Sequence, residues 1–423
     1  MKGSPEGRKT RVISGADGGK SKSEVSIIDD FSEPKYIYKP PQSHRELLRK
    51  VKVAMYGLTS EAYRLAATLV DRAQVTIVDE SLQMAMDIDP AFMKKNPNLQ
   101  EVMAEEPLLS FKPLEQVLGE AQVIFFTPRL RRPSDETLIE AGSKLRELAR
   151  YLSKGVTLVN SLPTGPGGNS DNIMLAEKQT GLQVGSTLTY SYMPLRPGDF
   201  RPAVVSTAGQ TEKGGLQTLG FAPNSQNVFS AELEYASSVM ESAVASVTEI
   251  ELARRAREAK VTLQRSSSVY LDEFSKYLFE LKAIQASEET GESISYLAGA
   301  ALKSFDNYVR YTVDETREVL KEKQLKASRT KISLLWNLDK YEMRGERLQV
   351  AESIQQRLRD YVTDVDVVSR SKGRGGAELL DPLKHNVVIV CSREDLDTMR
   401  QARKEQRSVE TTMLLATPSL SRD

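Results

Sequence analysis

From Val51 onward, short apolar runs alternate with amphipathic stretches. "VKVAMYG" (51–57) is apolar enough for a buried strand, and "SEAYRLAATLVDR" spaces its apolar residues three and four apart, as one face of a helix requires. "QVTIVDE" is a strand again. A helical stretch leads into "AQVIFFTP", another buried strand, and "SDETLIEAGSKLRELARYLSKG" reads as a helix with Ser134 as N-cap and Gly155 beyond its end. "VTLVNSLPTGPGG" gives a strand and a loop, and short apolar segments in "GLQVGSTLTYSYMP" and "PAVVSTAG" extend the series. Strands alternating with helices call for a parallel sheet covered on both faces. The expected fold class is therefore α/β, with a Rossmann-like domain over residues 46–229.

Beyond it the pattern becomes helical through residues 230–328. The run from Ser230 to Gln264 contains neither Gly nor Pro and predicts one helix roughly 50 Å long. Ala243, Val247 and Ile250 recur at helical spacing as an apolar stripe. That stripe suits a homodimer through the 231–265 helix, or packing within one chain. From residue 329 strands return in "KISLLWNL", "DVDVVSR" and "NVVIVCSRED", with a helix in "GERLQVAESIQQRLRDYV". These predict a second, smaller α/β domain over residues 329–405, followed by a tail at 406–423. Residues 1–45, rich in Gly, Ser, Lys and Pro, read as a disordered arm, within which "VSIIDDF" is a candidate docking segment.

Charge and composition narrow the chemistry. Fifty-eight basic residues balance 58 acidic ones, so no net field points to nucleic acid. The arm (Lys2, Arg8, Lys9, Arg11, Lys20, Lys22) and a loop with Arg370, Lys372 and Arg374 are locally basic, but they lack interleaved aromatics for stacking bases. Nucleic acid is accordingly not the expected partner. One cysteine, Cys391, and two histidines, His44 and His385, leave too few ligands for a cysteine- or histidine-rich metal site. Cys391 lies in the apolar run "NVVIVCS", which marks it as a buried strand residue. No apolar run reaches the roughly 18 residues that span a bilayer. A cytoplasmic location is expected.

The turn after the first strand carries the candidate chemistry. A dinucleotide-binding turn needs a first Gly for the bend, a second where the backbone approaches the pyrophosphate, and a third small residue for helix–strand packing. Gly57, Thr59 and Ala62 hold those places. The Thr59 hydroxyl could donate to a phosphate. Asp79, at the end of the second strand, stands where a carboxylate accepts from a ribose hydroxyl and repels a 2′-phosphate, which favours NAD over NADP. The alternative is a Rossmann-like fold without cofactor, with Asp79 capping a turn.

Taken in order, the segments resemble the UDP-glucose/GDP-mannose dehydrogenase family. "VIFFTPRLRRPSD" is similar to the family's strand ending in Thr-Pro, at Thr127 and Pro128, with Asp135 before the next helix. "KGVTLVNSLPTGPGG" resembles the strand and loop near the nicotinamide, placing Ser161, Pro163 and Gly165 there. "YSYMPLRPGDF" matches a family stretch at Pro194, Pro197 and Gly198, with Leu195 where the family has Glu. "LLWNLDKYEMRGERLQVAESI" resembles the C-terminal nucleotide-sugar site, putting Lys340 and Arg347 on its basic positions. The resemblance implies an NAD-binding N-terminal domain, a long central helix that forms a dimer, and a C-terminal domain that helps to bind a nucleotide sugar.

The same resemblance also shows what is missing. The family oxidises an alcohol to a carboxylate through a covalent intermediate on a cysteine after the central helix, and no cysteine lies between residues 255 and 330. The central helix keeps Glu232 but carries Tyr235 and Val239 where the family has Lys and Asn. Two readings follow: an oxidoreductase with a relocated catalytic group, Tyr235 being a candidate base if its pKa is depressed, or a non-catalytic scaffold or sensor. The lost groups favour a divergent, NAD-binding member whose cysteine-dependent oxidation is lost or altered, with the non-catalytic scaffold or sensor as the alternative. Nucleic-acid contact through the basic arm is a further alternative.

Overall fold

The computed structural model describes residues 51–105, 111–132, 136–196, 202, 204–209, 215–261, 269–369, 380–406 and 408–420. The arm, Ser134, Asp135, Pro197, Gly198 and the basic loop 370–374 fall outside them.

The first sheet is built from β1 (Val51–Tyr56), β2 (Ala73–Asp79), β3 (Met84–Ile88), β4 (Phe111–Pro113), β5 (Val123–Phe126), β6 (Thr157–Asn160), β7 (Thr189–Tyr192) and β8 (Ser206–Ala208). Its order is β4-β3-β2-β1-β5-β6-β7-β8. The five middle strands are parallel, with Val53 beside both Val75 and Val123. Every residue of β5, β6 and β7 is buried, as expected of strands covered on both faces. The covering helices are α1 (Ser60–Leu69), α2 (Pro90–Lys95), α3 (Leu99–Glu105), α4 (Leu114–Glu120), α5 (Thr137–Ala149), α6 (Gly168–Thr180) and α7 (Gly215–Thr218).

The sheet is mixed rather than purely parallel. β3 and β4 add antiparallel strands at one edge and β8 at the other. The hairpin to β3 turns through Gln83 at φ 56, a positive φ on a residue that gives no Gly signal in the sequence.

Two 31-residue helices, α8 (Val228–Glu258) and α11 (Glu292–Glu322), dominate the middle, with α9 (Leu271–Ser275) and α10 (Leu278–Ala286) between them. Asn227 caps α8 by accepting from Ser230 N at 2.8 Å. The C-terminal sheet is fully parallel, ordered β10-β9-β11-β12, from β9 (Thr330–Leu335), β10 (Val365–Val368), β11 (His385–Val390) and β12 (Thr411–Leu415). Two more helices, α12 (Glu346–Arg359) and α13 (Arg393–Glu405), flank it.

β12 corrects the expected tail. "TTMLL" pairs along β11 from Thr411 to Leu415 and buries Thr412, Met413 and Leu414. The charge-rich stretch before it masks a five-residue apolar run that is long enough for an edge strand.

One core fills the first sheet. A second is shared by α8, α11, α12 and the C-terminal sheet, so the long helices and the last domain pack as one body. Ala243 and Ile250 point into this shared core, within one chain.

Candidate functional site

The C-terminal ends of β1, β5 and β6 form a tight shelf. Gly57, with φ 125, lies so close to the next strand end that a Cβ there would sit 2.0 Å from the Thr127 carbonyl oxygen. Only glycine fits. Thr127 N donates to Tyr56 O at 3.0 Å and Ser161 N to Phe126 O at 3.2 Å, locking the strand ends in step. Gly57, Thr59, Ala62, Thr127 and Pro128 are thus brought together at these strand ends, and all are buried.

The Thr59 hydroxyl is engaged within the turn. Its Oγ1 caps α1 by accepting from Ala62 N at 3.2 Å and donates to Thr127 O at 3.4 Å. Asp79 terminates β2 with Oδ1 accepting from Ser81 N, Ser81 Oγ and Leu82 N, as a turn cap does. Ser161 is fully buried, and its Oγ has no hydrogen-bond partner.

A segment of the C-terminal domain closes over the first turn of α1. Ser60 N donates to Tyr341 O at 2.8 Å, and Met343 N donates to Glu61 Oε2 at 2.8 Å. Leu130 N donates to Met343 O at 2.8 Å. Arg131 Nη2 donates to Lys340 O and Glu342 O at 2.8 and 2.7 Å, while Arg129 donates to Lys340 O and lies over the Tyr341 ring. Gly345 makes this approach feasible, since a Cβ there would already be 3.0 Å from Leu130 O. Glu61 is 3% exposed, and burial raises its pKa. It was not singled out in the sequence, although a carboxylate at the second helical position of "GLTSEA" was there to be read.

Behind this segment lies a network of buried charges. Arg347, expected at the sugar nucleotide, pairs instead with Asp272 at 2.5 Å and Glu342 at 2.9 Å. Asp272 also accepts from Trp336 Nε1 at 2.7 Å and pairs with Lys276 at 2.7 Å. Its pKa is lowered: burial opposes this, but Arg347 and Lys276 outweigh it. Burial pushes Glu342 up to about 7, against Arg347 and with help from Glu61. Arg344 lies 2.6 Å from Glu280 and over the Phe279 ring, with its Nε and Nη2 unpartnered. Lys340 itself is exposed.

On the central helix, Glu232 accepts four bonds, from Thr164 Oγ1, Gly167 N, Asn169 N and Asn169 Nδ2. It thereby supplies the N-terminal cap that the Gly167 start of α6 lacks. Tyr235 donates to Glu280 Oε1 at 3.1 Å, and burial raises its pKa well above normal, the opposite of what a base would need. Val239 is fully buried. The "SLPTGPGG" loop is docked on the end of α10, where a Cβ on Gly165 would meet Ala283 O at 2.3 Å. Cys391 is fully buried, with its thiol pushed up by burial. Among the described residues no cluster of His, Cys, Asp and Glu is placed to hold a metal, and no helix is long and apolar enough to cross a membrane. A cavity of about 40 Å³ lies at the other end of β1, near Lys52, Gln74 and Lys112.

No family model and no curated protein matches the sequence. Solved structures do match. UDP-D-ManNAc dehydrogenase from Pyrococcus horikoshii is similar at TM-score 0.57 and 16% identity, over 87% of this chain and 96% of that one. UDP-glucose dehydrogenase from Pyrobaculum islandicum is similar at TM-score 0.50 and 14% identity, over 87% and 90%. The chain has the nucleotide-sugar dehydrogenase fold. In that fold's terms, β1 to β8 with their helices make the first α/β domain, α8 the long central helix, and β9 to β12 the second α/β domain. At this identity the likeness reaches the backbone and not the chemistry.

Proposed function

We propose that the protein is a non-catalytic member of this fold, a scaffold or sensor whose nucleotide-binding positions have been turned over to packing. The observation that carries this reading is the first turn of α1. In a dinucleotide site the free N–H groups there receive the pyrophosphate. Here Ser60 N is already bonded to Tyr341 O, and the Glu61 carboxylate is fixed in the same turn. The Glu61 carboxyl is buried at that same turn and bonded across to Met343 N, so a phosphate would have to displace both contacts. So arranged, these residues do not fit NAD.

Other positions support the reading. Arg347 is matched by two internal carboxylates, Glu232 is occupied in capping α6, and Tyr235 and Val239 are packing residues. A second copy of the chain is the partner we assign to α8, whose Phe229, Leu233 and Val244 remain exposed beside the internal face.

Calorimetric titration with NAD and NADH at neutral pH tests the proposal, together with an assay for NADH formation from UDP- and GDP-sugars. We expect no binding at about 1 mM cofactor, which corresponds to less than about 4 kcal/mol of affinity, and no turnover. Micromolar binding that Thr59→Trp abolishes would overturn it.

A further inference from the structure

We propose that residues 339–345 form a pH-sensitive latch, which is closed on the first turn of α1 in acid and loosens as the pH rises through neutrality. This goes beyond the absence of catalysis and holds whether or not a cofactor ever binds.

The latch is an irregular segment between β9 and α12, held mainly by bonds that cross to the first α/β domain. These are Ser60 N to Tyr341 O, Met343 N to Glu61, Leu130 N to Met343 O, and the Arg129 and Arg131 guanidiniums to the Lys340 and Glu342 carbonyls. Gln100 and Gln349 add side-chain bonds to Asp339 Oδ1 and Arg132 O at 3.0 and 2.9 Å. Closing the latch buries three carboxyl groups at one seam: Glu61 from α1, Glu342 within the latch, and Glu346 at the start of α12.

The charges facing them are unevenly shared. Glu342 faces Arg347, which Asp272 also claims, and Glu61, Glu346 and Arg131 lie near it. Glu61 is opposed by Asp339 and helped by Arg344, which Glu280 holds. Glu346 faces Arg344, Lys282 and Glu280. One oxygen each of Glu342 and Glu346, both Oε1, is buried with no hydrogen-bond partner. A buried carboxylate with an orphaned oxygen is costly when ionised and much less so when protonated. Burial accordingly raises all three groups, Glu342 to about 7. Protons favour the closed seam. They leave as the pH rises, and the closed form then contains carboxylates it cannot compensate.

Hydrogen-exchange mass spectrometry of the full chain tests this, at pH 5.5, 7 and 8.5 with rates corrected for intrinsic exchange. The peptides to follow are 57–63 and 339–347, with 385–390 from β11 as an internal control. We expect protection in the first two to fall from pH 5.5 upward, by up to about tenfold per pH unit for one carboxyl, with the contribution of Glu342 levelling off above about 7, while the control stays protected. Glu342→Gln, which carries no ionisable proton, should hold the latch peptides protected at pH 8.5. Fluorescence of Trp336, the single tryptophan, bonded to Asp272 beside Arg347, should follow the same transition. Protection that is unchanged from pH 5.5 to 8.5 would overturn the latch. So would loss of protection in the control peptide together with the seam, or equal opening in Glu342→Gln. Absence of NAD binding at any pH bears only on the proposed function and leaves these readouts intact.

Discussion

At Gly57 the missing side chain is a steric requirement set by Thr127. With φ 125 and a hypothetical Cβ 2.0 Å from a backbone oxygen, Gly57→Ala must displace the β5 strand end. We expect a loss of about 3 kcal/mol or more in urea unfolding, from overpacking combined with backbone strain. Arg347 is the other residue on which much depends. Removing its guanidinium leaves Asp272 and Glu342 facing one another's field without their common partner. Arg347→Ala should cost about 3–5 kcal/mol, as breaking buried pairs does. Tyr235→Phe should cost only about 1 kcal/mol, since one hydrogen bond to Glu280 is lost and the ring stays in place. The sequence identified Gly57 and Arg347 as special but could not say for whom. Their partners lie far away along the chain, and the same residue types serve a phosphate and an internal carboxylate equally well.

Among elements, α6 and α8 are coupled through a single side chain. Glu232 on α8 satisfies two backbone N–H groups at the start of α6. Glu232→Ala should therefore loosen α6 and cost about 2–4 kcal/mol in thermal or urea unfolding, with exchange rising first at residues 167–171. On its outer side α8 exposes Phe229, Leu233 and Val244, which at 100° per residue share one stripe. If that stripe meets a second copy, Leu233→Glu with Val244→Glu should shift light-scattering mass from dimer to monomer. An unchanged mass would remove the dimer from consideration. The alternation of strands and helices in the sequence was legible because both have short, strong periods. The stripe chosen from sequence, Ala243, Val247 and Ile250, lies largely on the inner face. Periodicity locates an apolar face without naming what covers it. β3, β4 and β12 escaped notice because short edge strands carry little pattern and flanking charge dilutes it.

For the whole molecule, the buried charges make stability depend on pH in two directions. Asp272 has a lowered pKa, so its contribution is present above its unfolded value near about 4 and is lost as the pH falls further. Glu61, Glu342 and Glu346 are raised, so theirs is complete below about 4.5 and is lost as the pH climbs through each raised value, about 7 for Glu342. Urea midpoints between pH 3 and 9 should therefore peak near about pH 5 rather than at neutrality. Glu342→Gln should flatten the alkaline side alone. The overall architecture could be read from the order of segments. The closure of one domain on the other could not, because it depends on backbone groups of residues 339–345 that leave no mark in a one-letter pattern.

The bond from Ser60 to Tyr341 also has a consequence for the chain as it is made. The first helix of the first domain obtains a partner for its leading N–H only from a segment translated some 280 residues later. Until that segment emerges, the nascent first domain presents the Glu61 turn and the shelf at Thr127 to water and to chaperones, with closure deferred to the end of synthesis. A fragment ending at residue 261 should accordingly be recovered largely aggregated, and added C-terminal fragment should rescue it poorly unless it arrives during folding. Birth order, as much as final contact, then decides which copies of this protein reach the folded state.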